Sequence, residues 1–155
     1  MNINIVCVGK IKDKYISDGI KEFSKRMQSF GKFSIIELKE FGNDSDRASS
    51  IKKECKNILE VLDKKRGYNV LLDIQGKNFS SEEMSKKIEA ICINGYSTIN
   101  FIIGGSYGVS DEIRKASHLL LSFSKMTFPH QLMRLILSEQ IYRWFSIINN
   151  IKYHK

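Results

Sequence analysis

Five short apolar runs punctuate this sequence, and between and after them apolar residues recur every three or four positions. That alternation between extended and helical patterning is the strongest constraint on what the chain can fold into. Ile3 to Val8, Phe33 to Phe41, Tyr68 to Ile74, Thr98 to Ile103 and Leu119 to Phe123 read as strands. Asp13 to Phe30 reads as a helix with Tyr15, Ile16, Ile20, Phe23 and Met27 on one face, and Gly31 stops it. Ile51, Cys55, Ile58, Leu59 and Leu62 mark a second helix, which ends in Lys64-Lys65-Arg66 as the helix dipole favours. Ser80 with Glu83 forms a capping box for a third helix, with Met84, Ile88 and Ile91 facing inward. Ser110-Asp111-Glu112 caps a short fourth helix, and Pro129 opens a last one that runs to about Asn149. Strands alternating with helices imply an α/β fold with a mostly parallel sheet flanked by helices. No linker or internal repeat interrupts the 155 residues, so residues 1–155 read as one domain.

The last helix is unusual because apolar residues nearly encircle it. Such a helix needs cover on more than one side, which predicts sheet packing on one face and a second subunit on another. The composition is 42% apolar with nine Phe, six Tyr and one Trp, enough for a core without disulfides or metals. Cys7, Cys55 and Cys92 are odd in number and form no C-x-x-C pair, so they read as buried hydrophobes of a reducing compartment. His118, His130 and His154 lack ligand spacing, and no metal site is expected. No apolar run approaches the ~18–20 residues of a membrane span. Ile3 to Val8 is followed, not preceded, by lysines, so no signal peptide is read. The expectation is a cytoplasmic protein without membrane contact. The formal charge is +8, and residues 114–155 hold seven basic residues against one acid, Glu139. That quarter fits a phosphate-contacting surface about as well as the charged rim of an interface helix.

In open α/β sheets, ligands bind beyond the C-terminal ends of the strands. Three of those ends stand out. Leu72-Asp73-Ile74-Gln75-Gly76-Lys77 reads alone as a turn with Asp73 as a local backbone acceptor. Ile103-Gly104-Gly105-Ser106-Tyr107-Gly108 puts two glycines directly after a strand, where the backbone can approach a ligand closely. It is neither a dinucleotide fingerprint nor a P-loop. A bulky side chain at Gly105 is expected to block the slot. Phe123-Ser124-Lys125-Met126-Thr127-Phe128-Pro129-His130 is the most specific of the three. It has no G-x-S-x-G elbow, so Ser124 is not read as a nucleophile. On the last helix, Glu139 and Arg143 are spaced for an intrahelical ion pair.

Taken together, Leu-Asp-x-x-Gly-Lys at 72–77, Ile-Gly-Gly-x-x-Gly at 103–108, Ser-x-Ser-x-Met-Thr-Phe-Pro-His at 122–130, Glu-Gln-Ile-Tyr-Arg at 139–143 and the terminal Tyr-His-Lys resemble the RlmH family of SPOUT methyltransferases, over essentially the whole chain. The resemblance implies an α/β fold with a C-terminal trefoil knot and a homodimer with its cofactor pocket beside the subunit interface. It implies methyl transfer from S-adenosyl-L-methionine to N3 of a pseudouridine in 23S rRNA of the assembled 70S ribosome. Leu72, Gly104, Gly105, Phe123, Ser124, Lys125, Met126, Thr127 and Phe128 carry over as cofactor-contacting residues. His130, Arg143, Tyr153 and His154 carry over as the residues around the target base. Which of these takes the N3 proton stays open, as do stacking by Tyr153 and a partner-subunit role for Arg143.

Three positions depart from the family pattern. Trp144 stands where a small residue is usual, Ser106 where Ala or Pro is, and no Pro precedes Tyr153. Other readings are a non-catalytic ribosome-binding module of the same fold, a SPOUT methyltransferase acting on tRNA, and a nucleotide-binding regulator. Intact glycine and Ser-to-Phe loops weigh against the first. The basic C-terminal quarter weighs against the last.

Overall fold

The structure, a computed structural model, describes residues 1–154, so Lys155 of the terminal motif lies outside the described residues. The elements run β1 (Asn2–Val8), α1 (Lys14–Met27), β2 (Lys32–Leu38), α2 (Arg47–Lys64), β3 (Tyr68–Lys77), α3 (Ser81–Ile93), β4 (Thr98–Ile103), α4 (Asp111–Lys115), β5 (Leu119–Leu121) and α5 (His130–Ile148). The five strands form one sheet in the order β2-β1-β4-β3-β5, and every pairing is parallel.

Alternate residues of each strand face opposite layers. Ile3, Ile5, Cys7, Phe101 and Ile103 face the layer that holds α1, α3 and α5. Val6, Val8, Leu71 and Ile102 face α2 and α4, meeting Ile58, Leu62 and Ile113. Being buried on both faces is why these strands read as continuous apolar runs. Where Asn4 and Asn100 break the pattern they pair with each other, Asn4 donating to Asn100 at 2.8 Å.

The structure departs from the local reading at several points. Tyr15 is 66% exposed because it lies one position off the stripe that Ile16, Ile20 and Met27 bury. Cys92 is exposed, since it sits in the last turn of α3 beside the solvent-facing Ile93. Ser80 and Glu83 form the expected capping box, whereas the Ser110 side chain makes no capping bond to α4. The strand β3 runs three residues further than its apolar run, because it slips register against β5 and resumes pairing at Lys77. On α5 no residue is exposed. The helix lies between α1 and α3 over the sheet, so much of its apolar circumference is covered within its own chain. Arg134 is fully buried and ties α5 to the end of β1, donating to the Val8 carbonyl at 2.5 Å.

Candidate active site

The C-terminal ends of β3, β4 and β5 surround a cavity of about 310 Å³. Its first wall is the register slip in β3. Leu72 and Lys77 both pair with Leu121, so residues 73–76 bulge out of the sheet. The bulge aims Asp73 and Ile74 at the cavity. Asp73 accepts the Gln75 backbone N–H at 2.9 Å, as expected of a local acceptor, and also receives Arg114 Nε at 3.0 Å. Asp73 and then Asp111 hold the Arg114 guanidinium above its ordinary pKa, against the opposing effect of burial. Arg114 lines the cavity although its position in a short helix carried no sequence signal.

The second wall is the turn after β4, closed by the Gly108 N–H on the Gly105 carbonyl at 3.0 Å. A Cβ on Gly104 would lie 2.6 Å from Val109 Cγ1, and one on Gly105 would lie 2.6 Å from Glu54 Oε2. A side chain at 105 would have to displace the end of the Glu54 side chain that α2 places behind the turn. The Cβ direction there runs toward Glu54 and Val8, so a larger side chain presses on these as well as on the slot.

The third wall is the segment 122–128. The buried Ser122 donates its N–H to the Lys77 carbonyl at 2.9 Å, and Asn78 donates to the Ser122 carbonyl at 2.8 Å. The Ser122 hydroxyl donates to the Ser124 carbonyl at 3.1 Å, and the Ser124 hydroxyl accepts the Met126 N–H at 3.0 Å. These serines shape the loop. Phe123 packs on Trp144 at 6.4 Å, and Trp144 on Phe101 at 5.8 Å.

Of the residues singled out from sequence, Leu72, Gly104, Gly105, Phe123, Ser124, Met126, Thr127 and Phe128 line this cavity. Lys125 is exposed and is not among the lining residues. His130, at the start of α5, borders it together with Met133 one turn later. Arg143, Tyr153 and His154 do not. About 20 Å of helix, at 1.5 Å per residue, separates Arg143 from His130.

Those three residues form a second cluster with Glu139 and Glu82. Arg143 reaches Glu139 Oε1 through Nε at 3.0 Å and Nη2 at 2.6 Å. The Tyr153 hydroxyl donates to the same oxygen at 3.1 Å, and the ring sits 5.0 Å below the Arg143 guanidinium. Tyr142 meets Tyr153 edge-on at 4.8 Å. His154 lies between Arg143 Nη1, 3.2 Å from Nδ1, and Glu82, 2.6 Å from Nε2. Arginine only donates, so Nδ1 accepts and Nε2 carries the hydrogen toward Glu82. Burial, reinforced by the Glu139 charge, raises the Tyr153 pKa, so its hydroxyl is a donor at neutral pH rather than a base. The Glu82 carboxyl is lowered, first by its own backbone N–H and then by His154.

The family model "Predicted SPOUT methyltransferase" matches residues 1–154. The chain belongs to the SPOUT methyltransferase family. Over 155 residues and the full length of both chains it is 60% identical to the ribosomal RNA large subunit methyltransferase H of Fusobacterium nucleatum. It is 47% identical over 160 aligned positions, again covering both chains fully, to the protein of the same name from Streptococcus uberis. A solved structure of "a probable methylase family protein" from Haemophilus influenzae aligns over 99% of this chain and 70% of that one. Its TM-score is 0.57 at 16% identity, which shows the shared fold. The SPOUT fold carries its trefoil knot at the C-terminal end, and here the segments after β4 and β5 border the end of β3.

A SPOUT methyltransferase needs a methyl-donor cofactor, and the cavity suits one. Leu72, Ile103, Leu121 and Phe123 supply apolar walls, while residues 104–105 and 122–128 bring backbone groups to its edge. Behind Gly105, Glu54 Oε2 is buried without a hydrogen-bond partner. Among the described residues no group of His, Cys, Asp and Glu is arranged to hold a metal ion. No helix there is long and apolar enough to cross a membrane.

Proposed function

We propose that this protein transfers a methyl group from S-adenosyl-L-methionine to N3 of a pseudouridine in 23S rRNA, acting as a cytoplasmic homodimer on the assembled 70S ribosome. The observation that carries the reading is the cavity at the three strand ends, lined by eight of the nine residues that the family pattern assigns to the cofactor. The names of full-length relatives at 60% and 47% identity supply the substrate class. When bound, S-adenosyl-L-methionine supplies a methyl group on a positive sulfur, an electrophile that needs no further activation.

The protein's own work is then to hold, align and deprotonate. Leu72, Phe123 and Phe128 give the slot apolar walls, and the 122–128 loop presents backbone groups for orientation. N3 of the base is an imide nitrogen and attacks only as its proton leaves. His130 is the imidazole beside the cavity. Arg143 offers a fixed cation to the developing charge on the base carbonyls, or to a phosphate. Tyr153, protonated and docked, offers a hydroxyl donor and an aromatic edge. His130 and the tail cluster stand far apart along one helix, so a single copy does not assemble all four around one base. A second copy laid antiparallel along α5 brings its own Arg143, Tyr153 and His154 to the first copy's cavity, which is why the reading includes a dimer.

Labelled methyl transfer to 70S ribosomes, separated subunits and bulk tRNA tests this. Label in 23S rRNA from 70S particles is expected. Label in tRNA overturns the substrate while keeping the cofactor. Ribosome binding with no label anywhere returns the protein to a non-catalytic module.

A further inference from the structure

Glu54 lies in the middle of α2 and is 2% exposed. Its Oε1 accepts the Phe41 backbone N–H at 2.9 Å. Its Oε2 is buried with no hydrogen-bond partner. Leaving half a carboxylate unpartnered in the interior costs stability, so the residue calls for a use that packing does not give. The surroundings indicate one. Oε2 sits 2.6 Å from where a Gly105 Cβ would be, and Gly105 lines the cofactor cavity. The Gly105 backbone therefore lies between this oxygen and the cavity. The next residue, Cys55, accepts the Ser110 N–H through Sγ at 3.3 Å, so α2 grips the far end of the same turn. Among the described residues no ion pair involves Glu54, whereas Asp73 and Arg114 at the cavity wall offset each other at 3.0 Å.

We propose that Glu54 is a specificity-determining residue that reads the charge of the cavity's occupant, favouring the cationic sulfonium donor over the neutral thioether product. The inference rests on the S-adenosylmethionine reading above. In the transfer the S–CH3 bond breaks, its electron pair stays on sulfur, N3 gains the methyl, and the N3 proton goes to a general base of the protein or to water. The sulfur centre thereby loses its positive charge. A fixed negative charge shielded from water attracts the donor and has no such hold on the spent cofactor, so exchange runs toward reloading. Because that attraction weakens as the positive charge leaves, Glu54 raises donor affinity and slows rather than speeds the chemical step.

Calorimetric titration of wild type, Glu54→Gln and Glu54→Asp tests it with three ligands: S-adenosylmethionine, S-adenosylhomocysteine, and sinefungin, which bears an ammonium group in place of the sulfonium. Glu54→Gln is expected to weaken both cationic ligands about tenfold and the neutral one less than about twofold. Glu54→Asp is expected to keep the wild-type preference. Equal loss for all three ligands in Glu54→Gln means that the residue is only structural and overturns the proposal. Should Glu54→Gln fail to fold, wild type decides: equal affinity for sinefungin and S-adenosylhomocysteine overturns it. A wild type that binds none of the three refutes the cofactor reading itself, and the proposal falls with it.

Discussion

Trp144 is 2% exposed in the core between Phe101 and Phe123. It thus links the central strand β4 to the loop that forms one cavity wall. Trp144→Ala is expected to lower unfolding free energy by about 3–5 kcal/mol in urea denaturation, in line with other buried aromatic truncations. The same variant is expected to weaken cofactor binding, because Phe123 loses its support. Gly105 makes the opposite point about space. Since a Cβ there meets Glu54 Oε2 at 2.6 Å, Gly105→Val is expected to lower the melting temperature as well as cofactor affinity. A thermal melt matching wild type would show that α2 yields at no cost and would restore the simple blocking expectation. Arg134 was the least readable residue. An arginine on an apolar helix reads as a surface charge, yet it is fully buried against the Val8 carbonyl and Glu37.

At the scale of elements, the tail after α5 is held by side chains rather than by regular structure. Tyr153 bonds Glu139, and His154 bridges Arg143 and Glu82. Truncation before Tyr153 is expected to leave cofactor affinity within about twofold of wild type and to abolish methyl transfer to ribosomes. Unchanged turnover would remove the tail from the reaction. The docking also carries a pH dependence. The folded state holds the Glu82 carboxyl below its ordinary value of 4.5, first through its own backbone N–H and then through His154, and the His154 share, which is the docking contribution, is present in full above that value. It is lost as pH falls through the lowered folded value. Monitored by the Tyr153 ring resonances, the tail is expected to stay docked at neutral pH and to release only in acid below pH 4.5. Release already near pH 6 would assign the switch to another group. The loop 122–128 was readable because its serines and following Pro129 are turn and helix-start residues. The β3 bulge was not, because a register slip depends on β5, which lies over 40 residues further along the chain.

In the whole molecule, the cavity and the tail cluster stand apart on one chain. α5 carries both, at opposite ends, and its own chain already covers much of its surface. Sedimentation at micromolar concentration is expected to give a dimer. Mixing a Gly105→Val chain with a tail-truncated chain is expected to restore transfer in the heterodimer, because one intact cavity then faces one intact tail. A monomer in sedimentation would instead require the tail to reach its own cavity.

Local periodicity and turn chemistry encode the element order, the parallel α/β class and the residue types at the three strand ends, so these were legible in the sequence. It also assigned, through its resemblance, a set of residues to one reaction. That these residues fall into two groups, one at the cavity and one at the far end of α5, follows from the three-dimensional packing alone. The same packing put Glu54 behind Gly105, Arg134 in the core and Arg114 on Asp73. Each of those is a meeting between residues far apart in the chain. Such approaches are set by packing geometry and strand register, which no local pattern records.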